Sequence, residues 1–148
     1  MTLSDEQAFW EAVEGIRARE PGYAREAYGF LVGALNASVQ ALPPERLADP
    51  ARRHLSGREL VAGMVRVARG EFGALAPMVF REWGVTSSED VGRMVFQLVE
   101  DRQLSARPED TMDDYRGGPA LLEQLAADPG ARPSQPHPAP GERPGPRP

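Results

Sequence analysis

His54 is the only histidine ahead of residues 129–148, and it stands two positions before Ser56 and five before Glu59. An imidazole close to a hydroxyl suggests a base beside a nucleophile. That chemistry needs a third group to orient the ring and donors for an oxyanion, and the local sequence supplies neither. Ser56 already has a use as a helix cap, so His54 reads as a loop or helix-start residue. The densest acidic run, EDTMDD at 109–114, could do acid–base work or hold a cation. It lacks the glycine and closing glutamate of a calcium loop, and it reads as a solvated turn that caps the next segment through Asp110 or Thr111. The chain has no cysteine, one histidine ahead of its last twenty residues, and no two ligands at i and i+4 on an expected helix, so no metal site is expected. The glycines of ARGEFGAL (68–75) follow a helix rather than a strand, which removes the phosphate-loop reading. The expectation is a protein that is not an enzyme and needs no cofactor.

The elements that must carry these residues are helical. A chain of 148 residues, 41% hydrophobic and 26% charged, has the makeup of one globular domain. Ser4, with Gln7 three positions on, starts a first helix whose Phe9, Trp10, Val13 and Ile16 share one side. Pro21 and Gly22 stop it. A second helix over about 23–42 is apolar on nearly all sides, with Tyr28, Leu31, Val32, Leu35 and Val39 opposite Phe30, Ala34, Ala37 and Ala41. Such a helix is expected in the middle of a bundle.

Ser56 and Glu59 form the strongest start signal in the chain, a capping box, with Leu55 and Leu60 placed to staple the helix entrance. The helix they open runs to about Phe72, burying Leu60, Met64, Val67, Ala68 and Phe72, and Gly73 ends it. Pro77 fits only the start of a fourth helix that closes at Gly84, with Leu75, Met78, Val79 and Trp83 expected in the core. A cap within 86–88 opens a fifth, where Val91, Met94, Val95, Leu98 and Val99 repeat at helical spacing. A weaker sixth segment lies at 119–127. The fold class expected is therefore all-α, a compact bundle of five to six helices over residues 1–128. Residues 129–148, rich in proline, glycine and arginine, cannot bury enough surface to offset ordering and are expected to form a disordered tail.

Four stretches in order, AYGF (27–30), HLSGREL (54–60), FGALAPMVFREWGV (72–85) and EDVGRMVFQLVEDRQL (89–104), resemble an uncharacterised family of small bacterial proteins of the Planctomycetes and Verrucomicrobia type. The resemblance covers about residues 5–117. It implies a compact helical domain and carries over no activity, ligand or catalytic residue. Val91 stands where those relatives tend to have phenylalanine, and the Pro-rich tail looks private to this chain.

The segment 83–104 also has the outline of a helix-turn-helix. At about 100° per residue, the outward side of its second helix holds Glu89, Asp90, Arg93, Gln97, Glu100 and Asp101. Four carboxylates against one guanidinium would repel phosphates. The following SARPEDTMDDYRGG lacks the alternation of a wing hairpin. A packed helix pair is the better expectation.

The opposite sign gathers on the third helix, where Arg58, Arg66 and Arg69 face outward and Arg52 and Arg53 lie just upstream. Guanidinium groups suit phosphate or carboxylate partners. With one acidic and one basic face, the leading expectation is a non-enzymatic protein–protein interaction or adaptor module, its partner another protein or its own copies. Phe80 and Phe96, at the margins of their apolar stripes, are the candidate anchors, with Arg58, Arg66 and Arg69 beside them. The alternative is a regulatory nucleic-acid binder using a degenerate winged helix or the arginine ridge, although a net charge of −5 does not favour it. No stretch approaches the roughly 20 apolar residues that span a bilayer. A cytoplasmic protein with no membrane partner is the expectation.

Overall fold

The computed structural model describes residues 3–127; the Pro-rich segment expected to form a tail lies outside them. Among the described residues seven α-helices follow one another: α1 (Leu3–Arg19), α2 (Arg25–Gln40), a single turn α3 (Pro44–Leu47), α4 (Gly57–Phe72), α5 (Ala76–Trp83), α6 (Ser88–Glu100) and α7 (Leu121–Ala126). Two 3-10 turns, Gly73–Leu75 and Met112–Tyr115, join them, and among the described residues there is no strand. The fold is all-α.

The start signals act as their chemistry dictates. The Ser56 hydroxyl accepts from the Glu59 N–H at 3.1 Å, and Glu59 Oε1 accepts from the Ser56 N–H at 2.9 Å. Ser87 and Asp90 repeat the reciprocal arrangement at the start of α6. Each box satisfies two amides that helix geometry leaves without partners. Pro77 sits in the first turn of α5, and Gly84 closes that helix at φ 83°, a left-handed conformation that suits glycine. Helix α1 begins at Leu3, so Ser4 lies inside it rather than at its cap.

Helix α4, not α2, is the hub. It packs against α2, α5, α6 and α7, whereas α2 leaves Gly33, Asn36 and Ala37 exposed on its outer side. Val13 and Ile16 of α1, Tyr28 and Leu31 of α2, Met64 and Ala68 of α4, and Met94 and Leu98 of α6 fill the centre, and Leu121 and Leu125 of α7 close it from the far side.

Helix α5 is turned relative to its sequence expectation. Leu75 and Met78 are each 58% exposed, while Ala76 and Phe80 are fully buried. Trp83 packs against the core as expected, but Ala76, Phe80 and Trp83 form an i, i+4, i+7 stripe as regular as the one that runs from Leu75, just ahead of the helix, through Met78 and Val79. The larger ring takes the core. Phe80 packs between Phe30 and Trp83, with centroids 5.7 and 5.4 Å away.

Candidate functional site

Helices α2 and α4 run side by side in opposite senses, and the last turn of α2 and the first turn of α4 border a cavity of about 290 Å³. Its walls are apolar: Leu35 and Val39 from α2, Leu60 from α4, Val95 and Phe96 from α6, and Leu104 beyond it. Its polar end is built from segments outside the long helices, by His54, Asp110, Asp114 and Tyr115, with Arg53, Asn36 and Gln40 at the side.

The loop that carries His54 is held by one guanidinium. Arg46, at the end of α3, donates through Nη1 and Nη2 to the two Glu59 oxygens at 2.5 and 2.8 Å, through Nη2 to the His54 carbonyl at 3.1 Å, and through Nε to the Arg52 carbonyl at 2.6 Å. The paired donors hold the Glu59 carboxyl down to about 2, with partial burial opposing and the Ser56 amide assisting. Glu59 thus serves both the cap of α4 and the loop ahead of it.

The imidazole of His54 meets Asp110 with Nε2 and Oδ2 2.7 Å apart. With a carboxylate as its partner the Nε2 atom carries a proton, and Nδ1 is the ring nitrogen left over. Among the described residues nothing bonds to Nδ1. Asp110 is itself fixed, because the same Oδ2 accepts the Arg107 N–H at 2.7 Å. The expected acidic turn is therefore only partly solvated: Thr111 does open the 3-10 turn, with its N–H donating to Asp114 Oδ2 at 3.0 Å, while Asp110 is committed to the histidine.

Tyr115 ends this segment and is only 8% exposed. Its ring is clamped between two helices at positions without side chains. A Cβ on Gly57 would lie 2.9 Å from Tyr115 Cζ, and one on Gly92 would lie 2.7 Å from its Cδ2. Phe96 meets the ring edge-on, with centroids 6.3 Å apart. Burial pushes the phenol up to about 12, and the charges of Asp110 and Asp114 push the same way. The hydroxyl has no hydrogen-bond partner among the described residues.

The residues singled out in the sequence are distributed as follows. Phe96 is half-buried and lines the cavity. Phe80 is a core residue with no exposed surface, which corrects its reading as an anchor. Arg66 donates to the Ser38 hydroxyl at 3.2 Å, and with Arg69 it borders a shallow depression beside Gln124. The Arg69 Nε is buried without a partner. Arg58 borders a different depression and reaches the Arg116 carbonyl at 3.5 Å.

The acidic face of α6 also differs from expectation. Asp90 accepts from the Tyr23 hydroxyl at 2.7 Å, Gln97 from the Tyr28 hydroxyl at 2.6 Å, and Asp101 from Arg19 at 2.9 Å. Much of that side is a polar seam against α1 and α2, whose connection packs across it. Burial would raise the Asp90 carboxyl, but the hydroxyl of Tyr23 and the amides of Thr86 and Ser87 outweigh it and hold it below its usual range.

His54 and Asp110 are 56 residues apart, and no local motif joins them. The available signal was the histidine at a well-marked helix entrance and an acidic run denser than a turn requires. Among the described residues, no three His, Cys, Asp or Glu side chains converge as a metal site would require, and no helix is long and apolar enough to cross a membrane. The chain matches no known family model, and no curated protein and no solved structure shows a significant similarity to it.

Proposed function

We propose that this protein is a non-enzymatic binding module whose ligand occupies the cavity between α2, α4 and α6. The observation that carries this reading is the cavity's make-up: aliphatic and aromatic walls, and one polar end whose groups are locked from behind. Binding sites in helical bundles have this form, an apolar space with a few convergent polar groups that fix orientation. At about 290 Å³ it is at the small end of such sites, suited to one small organic molecule. The His54–Asp110 pair acts as a fixed recognition element, with Nδ1 left without a partner among the described residues. Its use as a catalytic base has less support, because no hydroxyl among the described residues is bonded to Nδ1.

The interaction expected from sequence enters here through Phe96, now a wall of the cavity rather than a surface anchor. The test is a ligand-observed NMR screen of small aromatic and aliphatic fragments against the wild-type chain and Val39→Trp, which fills the cavity from α2. Fragments that bind the wild type, compete with one another and are lost in a folded Val39→Trp protein are the expected result. A screen without binders, or binders indifferent to the substitution, overturns the reading.

A further inference from the structure

Resting on that reading, we infer that the cavity selects a small organic cation: an ammonium head on an apolar body. The polar end is asymmetric in charge and in depth. Its one permanently cationic side chain, Arg53, is exposed, whereas Asp110 and Asp114 are partly buried and Tyr115 is almost wholly so. Both carboxylates are anchored through a single oxygen. Oδ2 of Asp110 takes His54 and the Arg107 amide, and Oδ2 of Asp114 takes the Thr111 amide. Among the described residues, Oδ1 of each accepts no hydrogen bond.

The phenol supplies an independent observation. Its side chain is more than nine-tenths buried and borders both this cavity and the depression beside Arg58, its hydroxyl is solvent-accessible and has no partner among the described residues, and the glycine clamp leaves the ring nowhere else to go. Its oxygen and the two Oδ1 atoms are acceptors with no donor among the described residues, on three side chains that border the cavity, and a donor-rich head seated there would supply what they lack. An ammonium group carries three donors and no acceptor, so it fits where a carboxylate would be repelled. The rings of Phe96 and Tyr115, 6.3 Å apart and edge-on, add aromatic surface beside it.

The experiment compares three probes of similar shape at pH 7.5: 2-phenylethylamine, 2-phenylethanol and 3-phenylpropionate. The amine is expected to bind at least about tenfold more tightly than either of the others, the size of one charge-assisted hydrogen bond. Asp114→Asn, which keeps an acceptor for the Thr111 amide, is expected to remove most of that advantage while the alcohol loses little. Tyr115→Phe keeps the ring in its clamp and is expected to weaken the amine several-fold, which provides a second variant if the first fails to fold.

Equal binding of all three probes overturns the cationic preference and leaves the pocket reading intact. An amine preference that survives both substitutions overturns it as well, since the selecting charge would lie elsewhere. If none of the three binds, the preference is also lost, and the fragment screen then decides the pocket on its own.

Discussion

The two ends of the α2–α4 pair begin from the same helices and finish differently. At one end Phe30, Phe72, Phe80 and Trp83 meet with ring centroids 5.4–5.8 Å apart, and Gly84 turns the chain tightly beneath them. At the other, aliphatic side chains of α2, α4 and α6 face a cavity that the segments around His54 and Asp110 border without filling. Four rings pack on one another at the first end, where Phe30, Phe72 and Trp83 also border an open surface depression. Leucines and valines leave a cavity at the other, and the loops that complete it bring polar atoms instead of bulk. The contrast separates what stabilises the molecule from what equips it to bind.

The largest effect belongs to the aromatic end. Phe80→Ala empties a fully buried site and should cost about 3–5 kcal/mol in urea unfolding, whereas Phe96→Ala at the open end should cost less than about 2 kcal/mol. Comparable losses would erase the distinction. Gly92→Ala should be next: the new methyl meets the Tyr115 ring, and overpacking of this kind costs about 1–3 kcal/mol, reduced by about 1 kcal/mol for alanine's better helix propensity. Its NMR shift changes should gather on Tyr115, Phe96 and His54 and leave the Trp83 indole in place.

The smallest effect is a pH dependence. The Glu59 carboxyl lies at about 2 in the fold, below its unfolded value of about 4.3. Its contribution is therefore complete above the unfolded value and is lost as pH falls from about 4 through 2. Because Glu59 is partly exposed, that contribution is about 1 kcal/mol after screening. Glu59→Gln should flatten this part of the stability curve and loosen the His54 loop more than the aromatic end. An unchanged acid limb would detach Arg46 from the loop's stability.

What the sequence made legible follows the range of the interactions concerned. Ser56 with Glu59, Pro77, and Gly84 are local signals whose partners lie within a few residues, and each appears where its chemistry places it. The all-α class follows from the same signals added to a 3.6-residue period. The phase of α5 was not legible, because Phe80 and Met78 sit on rival stripes of one short helix and only the rest of the core decides between them. The α6 acids misled for a related reason: Asp90 and Asp101 look solvated until Tyr23 and Arg19 arrive from a distant part of the chain. The candidate site was the least visible feature. Its central pair joins a loop before α4 to a turn after α6, and a glycine clamp is legible only once the ring it holds is known.

That clamp constrains how the sequence can drift. Positions 57, 92 and 115 share a single volume, so the three behave as one inherited unit although they lie in three separate segments. A side chain gained at either glycine would have to be matched by shrinkage at the tyrosine, and the hydroxyl would vanish in the exchange. In any descendant chain, a bulkier residue at position 57 or 92 should therefore travel together with the loss of that one oxygen.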